Sequence, residues 1–529
     1  MSDYILMAGD VDAIRDYVFE TSSLPQIRGG SELLQECEEE IREKYGDHVL
    51  YCGGGSFLLQ VTKDQAERIR SDIEGLYLKK TLAATITIVY EQSLPPSGEP
   101  RAQGLWAQRI RNAAGNIPLD GNFSQRMLFV NARIREVKRQ KTMIPFYEAL
   151  PFGKRCERCG KRMASGREDI PDGKALCLVC EKRDQRGRRK GRDIRGKFNR
   201  EFWDEHGKNW TSEQPEDLDH LVASARRGYL AFIYADGNDI GGLLQKARDP
   251  EHYRSISRAL EEGTRQALFD ALEAVCGPAL DRELFWPFDI VNIGGDDVTV
   301  LAQAGYAWDL AVEFLGRFEQ EVSRRLPGGL GWKPTASCGI LIADVKYPIR
   351  YMERLAVSLV KKAKKRAKEN PGDPKSVVDF LWLPSPVASD RIDPLLDSYR
   401  PIEGIELSAR PYTLDEARLL RELTLQIARW PRTTRHRWAE ALEKGPLQSL
   451  SFIQYDLARE RSGVGKIETL DRLAAMLAGR GGKSIPGLPI WHRISKDQGH
   501  IWQTPLLDLL ELAELHAMRP DVEEEEERA

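Results

Sequence analysis

Three aspartates in this chain have the chemistry and placement to hold divalent metal. Asp296 and Asp297 close the tetrapeptide Gly294-Gly295-Asp296-Asp297, and within residues 229–240, YLAFIYADGNDI, an apolar run ends in Asp236 and resumes at Ile240. Substitution at phosphorus draws on two divalent ions about 3.5–4 Å apart, one activating the attacking hydroxyl and one stabilising the leaving pyrophosphate. Mg or Mn in that role takes hard oxygen ligands and keeps waters, so two or three carboxylates suffice. Adjacent side chains at a turn can be aimed into one site, and Asp236 on a neighbouring strand would complete it. Gly294 and Gly295 would let a nucleotide approach the backbone, and Gly237 would leave room near its phosphates. Gly and Asp also dominate ordinary turns, so the tetrapeptide alone fits a plain polar hairpin equally well. The surrounding pattern favours the metal site. A further apolar strand follows at residues 335–344, TASCGILIAD. The helix after it, LAVSLVKKAKKRAK, sets Ala356, Leu359, Val360 and Ala363 on one face. Its other face carries Lys361, Lys362, Lys364, Lys365 and Lys368, of which Lys364 is the expected triphosphate contact.

These elements have an echo nearer the N-terminus. Residues 4–14, YILMAGDVDAI, place Asp10 after an apolar run and Ile14 four residues on, as Asp236 and Ile240 are placed. Residues 49–59, VLYCGGGSFLL, and 291–301, VNIGGDDVTVL, each flank glycines with β-rich segments, the pattern of a tight strand-turn-strand. Aligning the glycines sets Gly55 against Asp296 and Ser56 against Asp297. The repeat implies two related domains, one catalytic and one that has lost its carboxylates.

Between the repeats lie two C-x-x-C pairs, Cys156/Cys159 and Cys177/Cys180. Their spacing lets four thiolates enclose one tetrahedral Zn²⁺. Four protein ligands leave no open position, so this zinc would be structural. Residues 182–197, KRDQRGRRKGRDIRGK, follow with nine basic and two acidic side chains, a run able to bind phosphate backbones or to serve as a soluble linker. Pro384, Pro386 and Pro394 mark a boundary beyond the second repeat. From Thr413 the pattern turns helical: Thr413 can cap, Asp415 and Glu416 suit the first turn, and Leu420, Leu423, Ile427 and Trp430 recur at helical spacing. Further helical runs cover 436–444, 467–479 and 505–517, and the acidic tail from 523 reads as disordered.

Bulk properties limit the alternatives. A length of 529 residues suggests three or four domains, and 41% hydrophobic with 30% charged residues describes a soluble protein. The formal net charge of -3 gives no whole-chain field for nucleic acid, so such binding must use local patches. No leader pattern and no membrane-length apolar stretch occurs, which points to the cytoplasm and to reduced thiols. Cys37, Cys52, Cys276 and Cys338 then read as small buried hydrophobes.

The order of GDVDAIRDYVF, LPQIRGGSELL, GGGSF, the cysteine module, ADGNDIGGLL, IGGDDVTV and SCGILIAD resembles the large palm-domain subunit of type III CRISPR RNA-guided effector complexes, the cyclic-oligoadenylate synthase. The likeness extends over nearly the whole chain. It implies an α+β fold of two facing ferredoxin-like palm domains, an inserted four-cysteine zinc module and a C-terminal helical domain. The expected division is 1–148 for the first, degenerate palm and 149–226 for the zinc module and basic linker. The second, catalytic palm would span 227–384, and the helical domain with its tail 385–529. ATP would bind between the palms, with Asp236, Asp296 and Asp297 holding the metals. The first palm, with Ser31, Gly54 and Gly55, would hold the acceptor nucleotide. The resemblance also implies guide RNA, target RNA and sister CRISPR subunits as partners, with synthesis gated by target RNA. Many relatives carry an N-terminal His-Asp nuclease domain. Here the first palm starts near Met1 and none of the eight histidines precedes an aspartate, so no intrinsic DNase is expected. Two rival readings stay open: a free-standing nucleotide cyclase, and an RNA-binding scaffold with a silent palm.

Overall fold

The computed structural model of the chain describes residues 4–91, 123–141, 152–165, 173–189, 194–207, 210–370, 372–385, 389–459, 464–480, 483–485, 488–496 and 499–520. The expected boundary at 148/149, Pro386, residues 190–193 of the basic run and the acidic tail lie outside these residues.

β1 (Tyr4–Val11), β2 (Val49–Gly53), β3 (Ser56–Thr62) and β4 (Ile86–Tyr90) pair antiparallel in the order β2-β3-β1-β4. The short α1 (Ile14–Val18) follows β1, and α2 (Leu24–Tyr45) leads to β2. α3 (Ala66–Thr81) joins β3 to β4, which completes the ferredoxin-like split βαβ. α4 (Phe123–Gln140) packs back on β1 and β4. The four-cysteine module contributes α5 (Leu178–Arg188), followed by α6 (Lys197–His206).

The second repeat has the same plan. β5 (Tyr229–Gly237), β6 (Phe288–Gly294), β7 (Asp297–Gln303) and β8 (Ala336–Asp344) take the order β8-β5-β7-β6. α7 (Ile240–Leu244) and α8 (Pro250–Leu280) follow β5, and α9 (Ala304–Arg325) joins β7 to β8. Asp249 starts α8 by accepting from the His252 backbone N–H, with Pro250 in the first turn, where its missing N–H costs nothing. α10 (Ile349–Ala367) then carries the chain over to β9 (Val377–Trp382), parallel to β8, and β11 (Tyr412–Thr413) closes this six-stranded sheet. β5 and β8 are buried along almost their whole length, which is why both read as continuous apolar runs rather than alternating ones. Ala356, Leu359, Val360 and Ala363 of α10 are all buried, as the spacing predicts.

The C-terminal region contains α11 (Leu414–Ala428), α12 (Arg432–Glu443), α13 (Pro446–Arg459), α14 (Val464–Gly479) and α15 (Leu506–His516). α11 begins with the Thr413/Glu416 capping box, and Leu420, Leu423 and Ile427 are fully buried. The region also holds a small sheet absent from the sequence reading, in the order β10-β14-β13-β12: β10 (Ile405–Glu406), β12 (Lys483–Ile485), β13 (Leu488–Lys496) and β14 (Gly499–Gln503). A buried knot fastens this region to the second palm. Asp508 takes Arg410 at 3.0 Å, the Tyr412 hydroxyl at 2.5 Å and the Ala409 N–H at 2.8 Å. Cys37, Cys52, Cys276 and Cys338 are buried in the continuous apolar core. No helix among the described residues is long and apolar enough to cross a membrane.

Candidate active site

The β6–β7 hairpin closes on the Gly294↔Asp297 pair, so Gly295 and Asp296 form the two-residue turn. Gly295 has φ +63°, a value glycine adopts without steric cost. In the first palm the matching pair is Gly53↔Ser56, and both turn residues, Gly54 and Gly55, have positive φ. The two turns therefore differ in backbone as well as side chain, and only the second carries a carboxylate at its tip.

Asp236 is paired across the sheet with Asp297. The Asp296 carboxylate lies where a side chain on Gly237 would go, 2.9 Å from the position of its missing Cβ. Lys364 reaches down from α10, 2.6 Å from Asp236 and donating to the Gly237 carbonyl at 2.8 Å. Burial, then the charges of Asp236 and Asp297, hold the Asp296 carboxyl well above its ordinary range. Burial, then the Asp236 charge, pushes Asp297 up to about 7. Lys364, with Arg15 beyond ion-pair distance, does not neutralise three carboxylates, and such a cluster of hard oxygens suits a divalent cation. The carboxylates are not gathered as tightly as the cysteines, and Lys364 occupies one face of Asp236.

The first palm supplies the opposite wall. A cavity of about 620 Å³ is lined by Asp10, Ser31, Glu38, Gly54 and Gly55 on one side and by Asp236, Gly294, Asp296 and Asp297 on the other. The turns touch where they lack side chains: a Cβ on Gly294 would lie 2.7 Å from the Gly54 Cα. Glu38 accepts from the Gly55 N–H at 2.6 Å, and burial pushes its carboxyl up to about 7. Ser31 lines the cavity but donates its hydroxyl to the Val291 carbonyl at 2.6 Å. Arg28 forms a buried ion pair with Asp289, its Nε at 2.8 Å, so both polar ends of Arg28-Gly29-Gly30-Ser31 reach across to β6. The glycines between them serve packing. A Cβ on Gly29 would fall 1.8 Å from the Arg183 carbonyl, and one on Gly187 1.7 Å from the Pro25 carbonyl, so α2 and α5 meet backbone to backbone.

Two further residues at the cavity escaped the sequence reading. Lys138, on α4, lies 2.5 Å from Asp10 and donates to the Val11 carbonyl at 2.8 Å. It thereby repeats the contacts of Lys364 with Asp236 and Gly237. The signal was present, because Lys138 stands as far beyond Asp10 as Lys364 stands beyond Asp236. Arg15, on α1, donates to the Tyr234 hydroxyl at 2.5 Å across the palm boundary.

The four cysteines converge, all four sulfurs lying within 4.8 Å of one another. Cys177 caps α5, its sulfur accepting from the Cys180 N–H. The module is tied to the first palm through Glu20, which holds Lys161 at 3.2 Å, Arg162 at 2.8 Å and Arg183 at 3.3 Å. Four soft thiolates in so small a volume suit tetrahedral Zn²⁺.

The fold and site thus define a palm-type protein, with two ferredoxin-like halves around a shared acidic cavity. Residues 229–371 match the family model described as Cas10/Cmr2, second palm domain, so the second repeat is a Cas10-like palm. The fold is similar to Csm1–Csm4 cassette structures in complex with cA4 (TM-score 0.54, 15% identity, 97% of this chain and 70% of that one) and with cA3 (0.51, 14%, 98% and 70%). It is also similar to the cassette in complex with one ATP (0.51, 15%, 98% and 70%). No curated protein matches by sequence.

Proposed function

We propose that this chain is the large subunit of a type III CRISPR effector that joins ATP into cyclic oligoadenylates when target RNA is bound. The observation that carries this reading is one cavity between two palm turns, with three carboxylates on one wall and a carboxylate-free turn on the other. That asymmetry separates a donor site from an acceptor site. The fold likeness to cassettes solved with cA4, cA3 and ATP supports the same substrate class.

Asp236, Asp296 and Asp297 would hold Mg or Mn. Bound there, the metals would supply Lewis-acid stabilisation of phosphate charge and acidify the attacking hydroxyl. The chain's own residues would do the positioning. Lys364 would turn from Asp236 to the donor triphosphate, and Lys138 would turn from Asp10 to the acceptor triphosphate. Gly237, Gly294, Gly295, Gly54 and Gly55 would leave the backbone open to both nucleotides. The acceptor 3′-oxygen bonds to the donor α-phosphorus, the bond to the pyrophosphate oxygen breaks, and the hydroxyl proton passes to solvent. Cys156, Cys159, Cys177 and Cys180 would bind a structural zinc. The same reading makes sister subunits, guide RNA and target RNA the partners.

Mass spectrometry of products from ATP with Mg²⁺ or Mn²⁺ tests the reading, using wild type and Asp296→Ala/Asp297→Ala with and without RNA and co-purifying subunits. Pyrophosphate-releasing adenylate oligomers are expected from wild type only. An intact, RNA-loaded assembly without product would leave a scaffold with a silent palm.

A further inference from the structure

We infer that Arg15 is a cation the first palm contributes to the donor site of the second, where its guanidinium binds the donor nucleotide's phosphates. This rests on the nucleotidyl-transfer reading above and adds to it a residue from the opposite palm. Arg15 lines the same cavity as Asp236 and Asp297, although it belongs to α1. Its guanidinium lies over the Tyr234 ring, 4.5 Å from the centroid, and Tyr234 stands two residues before Asp236 on β5.

Its present contacts describe a side chain with capacity to spare. Among the described residues its one ion pair is to Glu353 at 3.6 Å, too long for a hydrogen bond, and the side chain is 41% exposed. Arg28 shows what a brace between these palms looks like: it is 1% exposed, and its Asp289 partner is fully buried. Arg15 is held by one face and one hydroxyl, with most of its five N–H donors left for another partner. The contact with the Tyr234 ring holds the fork beside the cavity, and a planar fork matches two phosphate oxygens.

The repeat gives an independent argument. α1 and α7 both start after a residue in the left-handed region, Ala13 at φ 48° and Asp239 at φ 54°. With Ile14 aligned on Ile240, the counterpart of Arg15 is Gly241. Lysines 138 and 364 occur in both halves, but this arginine occurs in one, and it reaches toward the carboxylate-bearing side. That is the side where pyrophosphate departs and negative charge develops, so a fixed cation there has the most effect.

The test is equilibrium titration of the chain with the magnesium complexes of α,β-methylene-ATP and of tripolyphosphate. Arg15→Ala should bind both roughly ten- to hundredfold more weakly, the loss of charge-assisted hydrogen bonds. Arg15→Lys should recover part of the loss by restoring charge without the fork. The ligand-free thermal midpoints of both variants should stay within about 1 °C of wild type, whereas losing a structural brace worth several kcal/mol would lower them by several degrees. Wild-type affinity in Arg15→Ala, or Arg15→Lys binding no better than Arg15→Ala, would overturn the proposal. A wild-type chain that binds neither probe would overturn the nucleotide reading itself.

Discussion

At pH 7.5, with divalent metal chelated, the Asp297→Asn chain should be harder to unfold than the wild type. Asp297 is pushed up to about 7 from an ordinary 3.8, by burial first and the Asp236 charge second. A carboxyl raised in the folded state binds its proton more tightly there than in the unfolded chain. Its contribution is therefore fully present below about 3.8 and is lost as pH climbs to about 7. The difference corresponds to about 4 kcal/mol. Asp297 is partly open to solvent in the cavity, so about 2 kcal/mol is the expected gain on replacing it with the uncharged isostere. Urea unfolding followed by tryptophan fluorescence reads this directly. The advantage should shrink by about half at pH 5.5, as the folded carboxyl takes up its proton. Added Mg²⁺ should stabilise wild type and leave the variant unchanged, because only the ionised cluster offers the ion a full ligand set. A variant less stable than wild type in chelator, or an advantage independent of pH, would refute the electrostatic argument.

Other perturbations probe the frame around the site. Arg28→Ala leaves Asp289 buried without its partner and should cost about 3–5 kcal/mol in unfolding, most of it restored by Arg28→Met with Asp289→Leu. Gly187→Ala forces α5 away from the Pro25 carbonyl and should cost about 1–3 kcal/mol, whereas Gly75→Ala, with nothing near its Cβ, should be neutral or mildly stabilising. Cys177→Ser with Cys180→Ser should abolish zinc uptake by elemental analysis while Asp296→Ala/Asp297→Ala retains it.

The parts of this fold legible in the sequence are those with strong local periodicity or rigid spacing. β5 and β8 are continuous apolar runs, α10 has one apolar stripe, and the cysteine pairs can close on one ion. The Gly294–Asp297 turn could be placed because its glycines aligned with those of the first palm. The small sheet of β10, β12, β13 and β14 was not legible. Two of its strands have two or three residues, too few for an alternating pattern to register. The roles within Arg28-Gly29-Gly30-Ser31 were also hidden, because they depend on a helix and a strand far away in the chain. Lys138 illustrates a different limit: its spacing from Asp10 was in the sequence, but only the placement of α4 gives that spacing meaning.

The glycine-to-glycine contact between the two turns also works as a gauge. Gly54 and Gly294 meet without side chains, so the gap between the palms is set by main-chain thickness, the smallest stop a protein can build. Anything bulkier at either position would shim the jaws apart and carry both pockets with them. A nucleophile must start within about 3–3.5 Å of the atom it attacks, and a 1 Å misplacement can cost about a hundredfold in rate. In the proposed reaction, these two residues would govern its rate by fixing how far apart the two substrates are held.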